Sequence, residues 1–178
     1  TLAFFDYPIF IVVNSSRQAQ KYFDLIDVAP ITGIIIDDYE VVENKKLRSP
    51  LIGLYSALKE LNTLNFKYAF ILSCDNPFIQ KSFIEHMIHE SSELDGCVPI
   101  WKNYFIEPLL SIYRVQTFLN KCMDNLQKED YKLSHLLDPR FKINFISIEG
   151  VIKKLDTHLL SFININKNTD LEKIISYI

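Results

Sequence analysis

Short apolar runs alternate with amphipathic stretches along the first half of the chain. Three runs are continuous and rich in β-branched or aromatic residues, a pattern typical of strands covered on both faces: residues 9–13, 33–37 and 68–73. The stretches that follow repeat their apolar positions at helical spacing and predict helices over residues 16–26, 51–61 and 78–94. This alternation predicts an α/β domain with a mainly parallel sheet.

The second half of the chain has a less regular pattern. We predict strands over residues 96–100, 107–113, 144–148 and 161–166, and helices over residues 115–127 and 168–178. Neither an internal repeat nor a linker-like composition divides the sequence. The sequence therefore predicts one domain over residues 1–178, with a three-layer α/β/α arrangement around a mainly parallel central sheet.

The composition excludes several classes of protein. Hydrophobic residues make up 48% of the 178 residues, and the net charge of −3 gives no basic surface for nucleic acid. No apolar run reaches the ~18 residues that a membrane span needs. Cys74, Cys97 and Cys122 form no C-x-x-C pair, so we expect reduced cysteines in a cytoplasmic protein.

Asp75 is the first candidate for chemistry, because it directly follows the third predicted strand. Ligands of open α/β sheets bind beyond the carboxyl ends of the strands. Pro77 suits the first position of a helix, which makes Asn76 the expected N-cap and leaves the Asp75 carboxylate for a ligand. Two alternatives are that Asp75 only caps the helix, or that it is a phospho-acceptor, whose usual acidic pair and lysine are not evident.

Two further stretches carry candidate residues. In Ser49–Gly53, Pro50 lies near a helix start and Gly53 in its first turn, which lets a flat ligand approach the backbone closely. Asn164 and Asn166 precede the last predicted helix. Their side chains are suited either to metal ligation through oxygen or to turns.

The segments PLIG, CDNP and FININ-x-x-x-DLE together resemble the molybdenum cofactor guanylyltransferases, whose usual forms are G-P-L-A-G, C-D-x-P and F-x-N-[IV]-N-T-P-E-D-L. IVVNSSR and IIIDD, at the ends of the first two strands, also fit. The resemblance implies the nucleotide-diphospho-sugar transferase-like fold of the glycosyltransferase-A-like nucleotidyltransferase superfamily.

The same resemblance implies the reaction and its site. The family transfers GMP from GTP to molybdopterin, releases pyrophosphate and uses Mg²⁺. It implies that Asp75 is catalytic and binds the metal, with Asn166 as a second ligand. It further implies that the nucleotide contacts Asn14, Asp38, Pro50, Leu51, Gly53 and Asp75. The expected partners are GTP and molybdopterin, with transient contact to proteins that deliver the cofactor.

The amino-terminal end departs from the family pattern. No L-A-G-G-x-S-x-R-M-G-x-D-K loop is present, although backbone amides of such a loop cradle the triphosphate. TLAFF resembles the segment that follows this loop, so we expect the loop to precede Thr1 and a crossover helix to be omitted between Phe5 and Asp6.

Two alternatives to this function stay open. One is another nucleotidyltransferase of the same fold, with a cytidylyl donor or a sugar-phosphate acceptor. The other is a non-catalytic protein that binds a nucleotide or cofactor without the glycine-rich loop. Glu107 precedes PLLSIYR, where relatives often have an acceptor-binding P-L-x-A-L-Y-R, although a hairpin without chemistry explains it equally well.

Overall fold

The computed structural model describes residues 5–44 and 47–167. Lys45, Lys46 and the predicted closing helix over residues 168–178 lie outside the described residues. The strands are β1 (Phe10–Val13), β2 (Gly33–Ile36), β3 (Tyr68–Leu72), β4 (Gly96–Ile100), β5 (Leu110–Arg114) and β6 (Ile143–Ser147). The helices are α1 (Ser16–Leu25), α2 (Pro50–Thr63), α3 (Lys81–Glu90) and α4 (Val115–Gln127), with short 3-10 helices at Leu133–Leu136, Ile152–Lys154 and Leu160–Phe162.

The predicted α/β class is confirmed. The chain divides into two compact units. The amino-terminal unit contains the described parts of residues 2–69 and 113–142, and the carboxyl-terminal unit those of residues 70–112 and 143–178. The single domain expected from the sequence stays a prediction.

In the amino-terminal unit, β1 and β2 are parallel, with Phe10 opposite Gly33 and Val13 opposite Ile36. Helix α2 packs against α4, and the buried side chains of this unit include Leu51, Ile52, Leu58, Phe118 and Leu136. Val12 and Ile36 are 38% and 44% exposed. The continuous apolar runs predicted that β1 and β2 are covered on both faces. Within the described residues this prediction is wrong, because one face of each strand is partly exposed.

Strands β3 to β6 form one sheet in the order β3-β5-β4-β6. Strands β4 and β6 are parallel, as predicted for most of the sheet. Strands β3 and β5 are antiparallel, because Val115 N donates to Lys67 O at one end of the pair and Ser73 N donates to Leu109 O at the other. The sheet is therefore mixed, and its antiparallel pair brings the residues after β3 beside those before β5.

Helix starts agree with the sequence in two places and differ in a third. Ser15 and Ser49 are the N-caps of α1 and α2, and Pro50 occupies the first turn of α2 as predicted. Helix α3 starts only at Lys81, after Gln80 as N-cap, so the prediction that Asn76 caps this helix is wrong. The amide of Asn76 has found other partners, described below.

The structure differs from the sequence prediction near the carboxyl-terminal end of the described residues. The strand predicted over residues 161–166 is absent: Leu160–Phe162 forms a 3-10 helix, and residues 163–166 are irregular. This correction has a physical cause, since backbone groups of the segment bond to a turn and to side chains rather than to a strand. Residues 5–9 contain no helix, and the omitted crossover helix stays a prediction.

The packing of α2 gives a test of the fold. Leu58 is fully buried, so Leu58→Ala leaves a cavity and should lower the free energy of unfolding by about 2–5 kcal/mol. The control is Leu64→Ala, just after α2, where the side chain is 47% exposed and the change should stay within about 0.5 kcal/mol. Urea denaturation followed by circular dichroism measures both, and equal losses would contradict this packing.

Candidate functional site

Asp75 lies in a turn between β3 and α3. Its side-chain atom Oδ1 is buried and, among the described residues, accepts no hydrogen bond. Such an oxygen is costly to bury, because it loses its hydration without a replacement. The residue is partly exposed, but one carboxylate oxygen is shielded from water.

The segment that follows the last 3-10 helix is fastened to this turn. Ile165 N donates a 2.8 Å hydrogen bond to Asp75 O. The Asn76 amide donates to Ser161 O at 3.2 Å and to the side-chain oxygen of Asn164. These bonds bring Asp75 and the FININ segment together, so the two predicted metal ligands, Asp75 and Asn166, lie on neighbouring stretches of chain. Ligation by Asn166 itself stays a prediction.

A buried carboxylate holds the residues that directly precede the FININ segment. Asp156 is 4% exposed and accepts hydrogen bonds from Leu160 N at 2.9 Å and Ser161 N at 2.8 Å. Ser161 Oγ in turn accepts from Gln80 N, at the start of α3, at 3.0 Å. These contacts satisfy the first amides of the 3-10 helix and fix where the segment begins.

A second carboxylate lies in the same unit. Trp101 Nε1 donates a 2.7 Å hydrogen bond to Glu107 Oε1. Burial raises the pKa of Glu107, the bond from Trp101 lowers it, and the negative charge of Asp75 raises it again. Because the charge of Asp75 acts on Glu107, the two carboxylates belong to one electrostatic environment.

The residues around Asp75 suit a divalent cation. Within residues 5–44 and 47–167, neither Asp75 nor Glu107 forms an ion pair with a basic side chain. Mg²⁺ is usually held by one or two carboxylates, together with water and phosphate oxygens. The orphaned Asp75 Oδ1 therefore fits the ion that the family resemblance implies. The described residues contain no larger cluster of potential metal ligands.

In the amino-terminal unit, Asn14 lies at the entrance to α1. Its backbone N–H donates to Gln18 Oε1 at 2.8 Å, and its side-chain oxygen accepts from Ser15 Oγ at 2.8 Å. It lines an open groove of about 560 Å³ together with Arg17 and Lys21. Two basic side chains give this groove a chemistry that suits phosphate, and the nucleotide contact expected for Asn14 stays a prediction.

Asp38 has a structural partner rather than an open carboxylate. Its Oδ2 forms a 2.6 Å ion pair with Lys59, and its backbone N–H donates to Ser56 Oγ at 2.7 Å. All three residues line a second groove, of about 470 Å³, beside β2. A nucleotide contact by Asp38 would have to compete with Lys59, and it stays a prediction.

The preceding residue, Asp37, faces the start of α2. A methyl group placed on Gly53 would lie 3.4 Å from Asp37 Oδ1, which is ordinary van der Waals contact. Burial raises the pKa of Asp37, while a 3.4 Å hydrogen bond from Tyr39 OH and the charge of Arg48 lower it. The resemblance pointed to Asp38 of the Asp37–Asp38 pair. The sequence pattern does not show which of the two carboxylates faces Gly53.

The structure brings the predicted residues together in two groups. Asp75 and Asn166 lie on bonded segments of the carboxyl-terminal unit, and Pro50, Leu51 and Gly53 form the first turn of α2 in the amino-terminal unit. The nucleotide contacts expected for Asn14, Asp38 and Asp75 stay predictions. Asp156 carried no motif, and burial alone reveals its role.

Known proteins resemble this chain over most of its length. A sequence profile of the MobA-like NTP transferase domain matches residues 3–142. A probable molybdenum cofactor guanylyltransferase of Thermococcus sibiricus is 29% identical over 167 residues, covering 92% of this chain and 74% of the relative. Another, of Pyrococcus horikoshii, is 32% identical over 138 residues, covering 76% and 67%.

A solved structure shows the same fold. Molybdopterin-guanine dinucleotide biosynthesis protein A from Archaeoglobus fulgidus superposes with a TM-score of 0.70 at 24% identity, over 95% of this chain and 79% of that one. The profile match includes Asp75 and the first turn of α2, and it ends before the FININ segment. The chain is thus a nucleotidyltransferase that belongs to the MobA-like NTP transferase domain family.

Proposed function

We propose that this protein transfers GMP from GTP to molybdopterin and releases pyrophosphate. The observation that carries the proposal is the buried, unpartnered oxygen of Asp75 beside the hydrogen-bonded FININ segment. Its relatives from T. sibiricus and P. horikoshii bear the name probable molybdenum cofactor guanylyltransferase, which supports guanine and molybdopterin as the substrates.

Asp75 holds the cation in this proposal, and Asn166 supplies a neutral oxygen ligand. A bound Mg²⁺ neutralises charge on the triphosphate, which otherwise repels an anionic acceptor phosphate. The contribution of the protein is to fix these ligands. The bonds from Ile165 N to Asp75 O and from Asn76 to Asn164 keep the two ligand-bearing segments in register.

The first turn of α2 and the groove at Asn14 bind the nucleotide in this proposal. Pro50 has no N–H and the Ser49 side chain accepts the N–H of Leu51, so the turn is already ordered before a ligand arrives. Because Gly53 has no side chain, a flat ring can approach the helix backbone there, beside Asp37. Asn14, with Arg17 and Lys21, then contacts phosphates.

The setting of the reaction is part of the proposal. We place it in the cytoplasm, with transient contact to proteins that deliver molybdopterin. No helix within the described residues has the length and apolar character to cross a membrane. Replacing GTP by CTP, or molybdopterin by a sugar phosphate, tests the alternative nucleotidyltransferases directly, because pyrophosphate release then follows the preferred pair.

Asp75→Asn tests the metal-binding role of the carboxylate. The variant keeps the shape of the side chain and removes its charge, so Mg²⁺-dependent pyrophosphate release from GTP and molybdopterin should fall at least thousandfold, about 4 kcal/mol in the barrier. The melting temperature should not fall, because the charged oxygen has no partner to lose. The matched control is Asp124→Asn, an exposed residue of α4 that pairs with Lys128 and should keep full activity. Near-normal turnover by Asp75→Asn at a lowered melting temperature would instead mean a structural role.

Gly53→Ala tests nucleotide binding at α2. The added methyl group meets Asp37 Oδ1 at 3.4 Å and Val12 Cγ1 at 3.6 Å without a clash, and alanine favours a helix by up to about 1 kcal/mol. The variant should therefore melt at the same temperature or higher, yet bind GTP at least tenfold more weakly in calorimetry. Thr63→Ala, at the exposed end of the same helix, should leave GTP affinity unchanged. Unaltered affinity in Gly53→Ala would place the nucleotide elsewhere.

A further inference from the structure

Two carboxylates lie near the same end of the antiparallel β3–β5 pair. The ladder pairs Lys67 with Val115 and, further along, Ser73 with Leu109. Beyond this last bond each chain turns, since Asn76 N donates to Ser73 O and Leu110 N donates to Glu107 O, so Asp75 and Glu107 each lie two residues from the same end of the pair. The effect of the Asp75 charge on the pKa of Glu107 agrees with this proximity.

Glu107 is held rigidly at this place. Its backbone N–H donates to Pro99 O at 3.0 Å, and its carbonyl accepts from Ser111 Oγ at 2.6 Å. Trp101 fixes the carboxylate through the 2.7 Å bond to Oε1. Among the described residues no donor reaches Oε2, so one oxygen of Glu107 keeps its lone pairs for a ligand.

Trp101 also contacts the segment that carries the asparagines. Its ring packs edge-on against Phe162, with 5.4 Å between the ring centroids, and Phe162 lies just before Asn164. The indole therefore touches Glu107 on one side and the FININ segment on the other. A nonpolar ring in this position excludes water from the side of the carboxylate pair and so strengthens electrostatic interactions there.

Two carboxylates in one partly buried place repel each other unless a cation lies between them. No basic side chain of the described residues does so for Asp75 and Glu107, whereas Asp38 has Lys59 and Asp138 has Arg140. We propose that Glu107 is a second carboxylate ligand of the divalent cation at Asp75, with Trp101 as the residue that positions it. This proposal rests on the proposed function for the identity of the cation, and it adds a ligand from the segment before β5.

The test measures binding of Mn²⁺ alone, by electron paramagnetic resonance of the free ion, so that it needs neither GTP nor turnover. Glu107→Gln keeps the oxygen that accepts from Trp101 and removes the charge. Its Kd for Mn²⁺ should rise at least tenfold, equivalent to ~1.4 kcal/mol. Its melting temperature without cation should stay equal or rise, because the repulsion with Asp75 is gone. Trp101→Phe, which keeps a ring but loses the bond, should raise the Kd by a smaller factor.

Two comparisons make the result decisive. Glu149→Gln removes the same charge from a residue of the same unit whose carboxylate accepts from Lys102 N, and it should change the Kd less than twofold. The double variant Asp75→Asn, Glu107→Gln should raise the Kd for Mn²⁺ by a smaller factor than the product of the two single factors, because one ion contacts both groups.

Each outcome bears on the proposal. Unchanged Mn²⁺ affinity in Glu107→Gln, beside a loss in Asp75→Asn, would overturn the role of Glu107 and leave the proposed function intact. If the unaltered protein does not bind Mn²⁺, the proposed role of Glu107 is also overturned. Conversely, an unaltered protein that binds Mn²⁺ with the expected losses, yet transfers no GMP, would support the two-carboxylate site and contradict the proposed function.

Discussion

The site depends on the attachment of the FININ segment to the turn after β3. A backbone bond from Ile165 to Asp75 and the two bonds of the Asn76 amide join stretches that are far apart in the chain. Asp156 secures the beginning of the same segment through two backbone N–H groups. Because these bonds are buried or partly buried, breaking one would leave polar groups unsatisfied, and the segment has few alternative positions.

Some carboxylates of the chain have basic partners and others do not. Asp38 and Asp138 have basic partners within 2.7 Å, and the pKa of Asp138 is strongly lowered by its bonds to Arg140. Asp75 and Glu107 have no such partner in the described part of the chain, although both are partly removed from water. Two carboxylates that are partly removed from water and lack a basic partner are suited to receive a cation from solution.

The positions of these groups follow from the mixed sheet. An antiparallel β3–β5 pair lets a residue after one strand face a residue before the other, which a parallel pair does not allow. The parallel pairs β1–β2 and β4–β6 follow the more usual α/β pattern. In a wholly parallel sheet Glu107 would begin a strand at the opposite edge from Asp75, so the local reversal is what makes a carboxylate pair possible.

The sequence by itself determined the α/β class, the strand β4 and the helix α4 over Val115–Gln127, because these depend on the local spacing of apolar residues. It also identified Asp75 and the asparagines of FININ through motif order. Only the tertiary structure decided that Asn76 bonds to Ser161 instead of capping α3, that FININ is not a strand, and that Asp37 rather than Asp38 faces Gly53. These outcomes depend on hydrogen-bond partners that are distant in the chain and on burial in the folded protein. The periodicity of hydrophobic residues predicts neither of them.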